Sequence, residues 1–179
     1  MTQPLPGDIL LTRGNAWTSK VIRFGAALLD RPNTYNHVIV FTHYDALGIP
    51  QGIEARAEGA GWVDLRRTLK GRWVASNADQ PKSAGQRELI TAAAQGCLGV
   101  KYDWSAIFAE GLEALRITPE WSLAERPKDR VPTSLICSAL ADWSYAKAGL
   151  ANPGGDKATR LTTPADWDTF VRTRAWEHP

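Results

Sequence analysis

Four consecutive apolar residues, Val38-Ile39-Val40-Phe41, constrain the fold of this chain more than any other feature. They sit within residues 35–44, a stretch far too short to span a membrane and rich in the β-branched and aromatic residues that favour strands. A strand sends alternate side chains to opposite faces, so four apolar residues in a row leave neither face for water. The stretch predicts a central strand, covered on both sides by the rest of the chain.

The flanking patterns suggest what covers it. Gly7-Asp8-Ile9-Leu10-Leu11-Thr12 reads as a strand after Pro4 and Pro6, and residues 13–15 as a turn. Residues 16–30 carry Trp17, Val21, Phe24 and Leu28 at helical spacing. Residues 52–57, 61–65 and 72–75 are three further short strand candidates. The period then changes. Ser83 and Gln86 form a capping-box pair, and Leu89, Ile90, Ala93, Ala94 and Cys97 repeat at helical spacing as far as Gly99. Residues 104–116 and 134–149 predict two more helices, separated by a charged, proline-containing loop at 118–132. Thr163-Pro164-x-Asp166 is a helix start. Strands followed by helices predict an α+β fold, a small antiparallel sheet or partial barrel packed against helices. At 179 residues, with no internal repeat and no low-complexity segment, the chain is expected to be one domain, 1–179.

Composition then removes function classes. Twenty-one Lys and Arg against nineteen Asp and Glu leave a formal charge of +2, too small to imply a nucleic-acid partner. No run reaches the length of a membrane span, and residues 1–7 lack the basic-then-apolar pattern of a secretion signal. As encoded, the chain is expected to be soluble and cytoplasmic, acting outside the cell only if delivered by another route. There are two cysteines, Cys97 and Cys137, and three histidines, His37, His43 and His178. With no CxxC among them, a disulfide scaffold is excluded and no metal centre or other cofactor is expected. Two cysteines that need not pair fit a reducing compartment.

That scarcity narrows the search for chemistry. Cys137 falls at the first turn of a predicted helix, where unpaired N–H groups and the helix dipole favour a thiolate. Ser138, Ala139 and Ala141 beside it are small enough for a substrate or a strand to approach closely. The competing reading is a buried small hydrophobe. Cys97 lies at the C-terminal end of a helix, where the dipole has the wrong sign, so packing explains it better. His37 opens the central strand and is placed to act as general base and acid; the alternative is a hydrogen-bonded strand-end histidine. His43 lies six residues on with the same face parity, and His178 lies in the terminal tail. Glu54, between Ile53 and Ala55 on the next strand, is positioned to orient an imidazole, unless it simply faces solvent.

These residues resemble a known family, the circularly permuted NlpC-type papain-like cysteine hydrolases, and within it the YaeF/YiiX group. The matching stretches are Gly7-Asp8-Ile9-Leu10-Leu11, Asn36-His37-Val38-Ile39-Val40, Gly52-Ile53-Glu54-Ala55, Gly99-Val100-Lys101-Tyr102-Asp103-Trp104, Ser134-Leu135-Ile136-Cys137-Ser138 and Thr163-Pro164-Ala165-Asp166. Each alone is weak; six in the family's order form a more specific signal. The resemblance implies a permuted papain-like topology and a Cys137–His37–Glu54 triad cleaving an amide or related acyl bond through a thioester. It also implies oxyanion donors at the Cys137 backbone N–H and, with less weight, the Tyr102 hydroxyl.

Three functions compete. The leading one is a cysteine amidase or peptidase acting on a small peptide-like substrate such as a peptidoglycan fragment. The second keeps the triad but acts on acylated lipids as a thioesterase or acyltransferase. Eight tryptophans could line an apolar groove for it, although large aromatics serve more often in cores. The third is a non-catalytic binding module on the same scaffold. Oligomeric state is open at this point.

Overall fold

A computed structural model describes residues 4–12, 35–68, 72–74, 82–105, 131–155 and 162–174. The helix expected at 16–30, and most of the helix at 104–116 and the loop at 118–132, lie outside the described residues. Strands β1 (Ile9–Thr12), β2 (His37–Tyr44), β3 (Pro50–Arg56), β4 (Gly59–Asp64) and β5 (Arg72–Val74) form one antiparallel sheet in the order β4-β3-β2-β1-β5. β2 is the central strand, as its apolar run requires. The sheet is open in the described residues, with β4 and β5 at its edges, so no barrel closes.

Both faces of β2 are covered. Val38 and Val40 join Ile9, Leu11 and Ile53 in the main core, which the helices complete with Ile90, Ala94, Leu140, Tyr145 and Trp167. Ile39 and Phe41 join Leu10 and Leu65 in a smaller cluster on the other face. Leu65 begins a 3-10 turn, Leu65–Thr68, that continues from β4. Each fully buried Leu, Ile or Val contributes about 1.5–3 kcal/mol, which is why the alternation holds so firmly. Gly52 permits the close approach of β3 to β2: a Cβ there would stand 2.8 Å from Ile39 Cγ2.

Helix α1 (Ala84–Gly96) begins at the expected capping box, in which Ser83 and Gln86 satisfy each other's backbone N–H groups. It stops at Gly96 with Cys97 as C-cap, slightly before the expected end. Helix α2 (Cys137–Lys147) starts later than its spacing suggests. Ser134 and Leu135, expected to be helical, instead form a short strand β7 (Ser134–Leu135) parallel to β6 (Lys101–Tyr102). The Ser134 hydroxyl donates to Asp103, at 3.0 Å, and the backbone pairs with β6. Those partners are distant in sequence, and they outweigh local helical preference. Gly149 (φ +68) follows the C-cap of α2 in the left-handed conformation expected of it. Helix α3 (Pro164–Thr173) starts at Thr163, whose side chain caps Asp166 and is capped in return.

α2 packs against β2, β3, α1 and α3, and eight of its residues are buried. Ser138, Ala139 and Ala141 are among them, so their small size serves close packing rather than an open approach. The Tyr145 hydroxyl donates to the Gly7 carbonyl at 2.8 Å, tying α2 to the segment before β1. Asp8, 1% exposed, accepts from Lys82 at 3.1 Å and Arg87 at 2.8 Å, tying the same segment to α1. A buried carboxylate requires such partners. No described helix is long and apolar enough to cross a membrane.

Candidate active site

β2 begins at His37, β3 carries Glu54, and α2 begins at Cys137; the fold brings all three together. Cys137 is the first residue of α2, and Ile136 before it supplies no side-chain cap. The orphan N–H groups of the first turn are therefore available to the sulfur. Burial pushes the thiol pKa up, but the charge and hydrogen bond of His37 oppose it, as do hydrogen bonds from the backbone amides of Val38 and Ser138. The net effect holds Cys137 below the usual thiol value.

His37 is half-buried, its side chain 19% exposed. Burial acts to lower its pKa, but the charge and hydrogen bond of Cys137, then those of Glu54, outweigh it and raise the imidazole to about 10. Its Nε2 donates a short hydrogen bond to Glu54 Oε2. Alternation along β3 explains the reach. Ile53 and Ala55 enter the main core, so Glu54 takes the other face, the one His37 shares by its parity with Ile39 and Phe41. Glu54 is 5% exposed, which rules out the solvent-facing alternative. Burial pushes its pKa up; the hydrogen bond and charge of His37 and the charge of Arg56 bring it below the ordinary carboxyl value.

Arg56 is the member the sequence reading missed. Its Nε donates to Glu54 Oε1 at 2.8 Å, and its Nη2 donates to the Trp62 carbonyl at 3.0 Å. The signal was Glu54-x-Arg56, two residues apart and hence on one strand face. The Cys137 sulfur, the His37 imidazole, the Glu54 carboxyl and the Arg56 guanidinium stand in a row, each in contact with the next. Such a row can hold a nucleophilic sulfur beside a proton donor, the requirement for acyl transfer to a thiol.

The remaining candidates separate cleanly. Cys97 is fully buried in the main core, and burial pushes its thiol up to about 11. His43 does not share the face of His37, although simple alternation placed it there. The register shifts between Phe41 and His43, so His43 stands opposite Gln51, on the face of Ile53, with its ring edge-on to Trp62 at 5.4 Å. Tyr102 lies on β6 level with Leu135, two residues before Cys137, and packs edge-on to Trp104 at 5.1 Å. His178 lies outside the described residues. The tryptophans divide: Trp167 is fully buried, with its indole N–H donating to the Ser138 carbonyl, whereas Trp62 and Trp104 are exposed. The Ser138 hydroxyl donates a short hydrogen bond to the Thr162 carbonyl, so the turn carrying Cys137 is also fixed from the segment leading into α3.

No protein-family model and no curated protein matches the chain. Among solved structures it is similar to metalloprotein yiiX from Escherichia coli O157:H7, a DUF1105 protein, at 19% sequence identity and a TM-score of 0.54. The match covers 97% of this chain and 83% of that one. That protein is described as a metalloprotein; among the described residues here, no group of three or more His, Cys, Asp or Glu is arranged to hold a metal ion. At this identity the likeness is one of fold. The chain has an α+β fold similar to that of YiiX, with Cys137, His37 and Glu54 brought together at the junction of α2 with the sheet.

Proposed function

We propose that the chain is a cysteine hydrolase cleaving an amide bond in a peptide-like substrate, with peptidoglycan peptides the first class to test. One observation carries the reading: of two buried cysteines, Cys97 packs in the apolar core, whereas Cys137 opens a helix and is hydrogen-bonded to His37 and to the backbone amides of Val38 and Ser138. A purely structural thiol needs none of those partners.

In the proposed reaction the Cys137 sulfur attacks the carbonyl carbon, and the developing oxyanion accepts the Cys137 backbone N–H. The C–N bond breaks as His37 gives its proton to the departing amine, leaving a thioester. Water then attacks, His37 takes a proton from it, and the carboxylic acid leaves as the thiolate is restored. Glu54 keeps the imidazole oriented and compensates its charge. Neither nucleophile nor base is consumed.

Iodoacetamide labelling near neutral pH tests the assignment. Cys137 is expected to be alkylated while Cys97 is spared, and His37→Ala should slow the reaction. Labelling of Cys97 with Cys137 untouched sinks the proposal. Peptide amides and acyl esters assayed side by side then fix the substrate class; preferential turnover of lipid acyl esters would replace the amidase reading with a thioesterase.

A further inference from the structure

We infer that Arg56 is a positioning residue of the site, holding the outer oxygen of Glu54 so that the inner one stays on His37. This deepens the hydrolase reading and rests on it. The two carboxylate oxygens are divided: Oε2 accepts from His37 and Oε1 accepts from Arg56 Nε at 2.8 Å. A carboxylate with one oxygen unheld can rotate about its last bond and present either oxygen to the ring. Gripping the outer oxygen removes that freedom.

Arg56 is itself fixed. Its Nη2 donates to the Trp62 carbonyl at 3.0 Å, so the guanidinium bridges a side chain of β3 and the backbone of β4. The planar fork makes this possible, because Nε and Nη2 lie in one plane and point at two acceptors at once. Half of the Arg56 side chain remains in water, at 49% exposed, against 7% for Glu54. The cation therefore costs little to hold, while the buried carboxylate gains a counter-charge. The hairpin matters here too. β4 is an edge strand, and the contact couples it to the site without touching Cys137 or His37.

Three substitutions separate charge from anchoring. Arg56→Ala removes both, Arg56→Gln keeps a donor for the Trp62 carbonyl without charge, and Arg56→Lys keeps charge without the fork. The Glu54 carboxyl is titrated by carbon NMR in each, with Glu54→Gln to assign the signal, alongside the iodoacetamide rate at Cys137. The Glu54 midpoint should rise by about one pH unit in Arg56→Ala and Arg56→Gln, the low end for a lost neighbouring cation because this one is half solvated. Arg56→Lys should recover most of the shift, and alkylation of Cys137 should slow in the Ala and Gln variants. An unmoved midpoint, or a raised midpoint with undiminished alkylation, overturns the inference. Failure of Cys137 to react in the unsubstituted chain would instead strike the hydrolase reading, and the Glu54 titration would still be readable.

Discussion

Replacing Glu54 by Gln keeps the shape of the side chain and removes one charge from the row Cys137, His37, Glu54, Arg56. In the parent, imidazolium is sustained by Cys137 on one side and Glu54 on the other, and its pKa stands at about 10. A hydrogen bond to a charged group is worth about 1.5–3 kcal/mol, and one pKa unit is about 1.4 kcal/mol. Losing the carboxylate should therefore lower the His37 midpoint by about one to two units. Proton NMR of the imidazole ring across the alkaline range reads this directly, with His37→Ala as assignment control. Stability should follow with a defined sign. His37 has a raised pKa, so its contribution is complete below its unfolded value and is lost as pH rises through about 10. Glu54 has a lowered pKa, so its contribution is present above its unfolded value and is lost as pH falls through the folded one. Urea unfolding should show Glu54→Gln less stable than the parent near neutrality, with the gap closing at both extremes. A parent midpoint near that of free histidine, or one indifferent to Glu54→Gln, would refute the coupled row.

Other substitutions probe the core and the neighbouring histidine. His43→Ala should leave the alkylation rate of Cys137 unchanged, since the register shift turns His43 to the opposite face; a loss comparable to that of His37→Ala would mean the wrong base has been named. Cys97→Ser should cost about 1–3 kcal/mol in urea unfolding, by placing a hydroxyl in the apolar core, without altering Cys137 labelling. Gly59→Ala should destabilise the hairpin by about 1–3 kcal/mol. Gly59 has φ +113, and a Cβ there would meet the Val100 carbonyl oxygen at 2.8 Å; a neutral melt would show that this contact relaxes freely.

Much of the architecture was legible because it rests on local rules. The double-sided burial of β2 and the helix starts at Ser83–Gln86 and Thr163–Asp166 are each written within a few adjacent residues. Glu54 was legible as an acid on the strand after that of His37; its approach to the imidazole rests on the β2–β3 register, which the sequence does not display. What stayed hidden depends on partners remote in sequence. β7 exists because Leu135 pairs with Tyr102 across more than thirty intervening residues, and no periodicity in a two-residue strand announces that. His43 changed faces because of an irregularity in one ladder, invisible to simple alternation. The role of Arg56 depends on Glu54 turning inward with one oxygen toward it, which the spacing of the two residues alone does not reveal. The hydrogen bond from the Val38 amide to Cys137 likewise joins residues about a hundred positions apart.

Cys137 is expected to form a thioester with an acyl group, which intact-mass spectrometry after brief exposure to a small activated peptide-like acyl donor at neutral pH reads without intermediaries. A single acyl adduct should map to the peptide that contains Cys137, absent from Cys137→Ala and slow to form in His37→Ala. An adduct on Cys97 or elsewhere, or turnover that persists undiminished in Cys137→Ala, would contradict it.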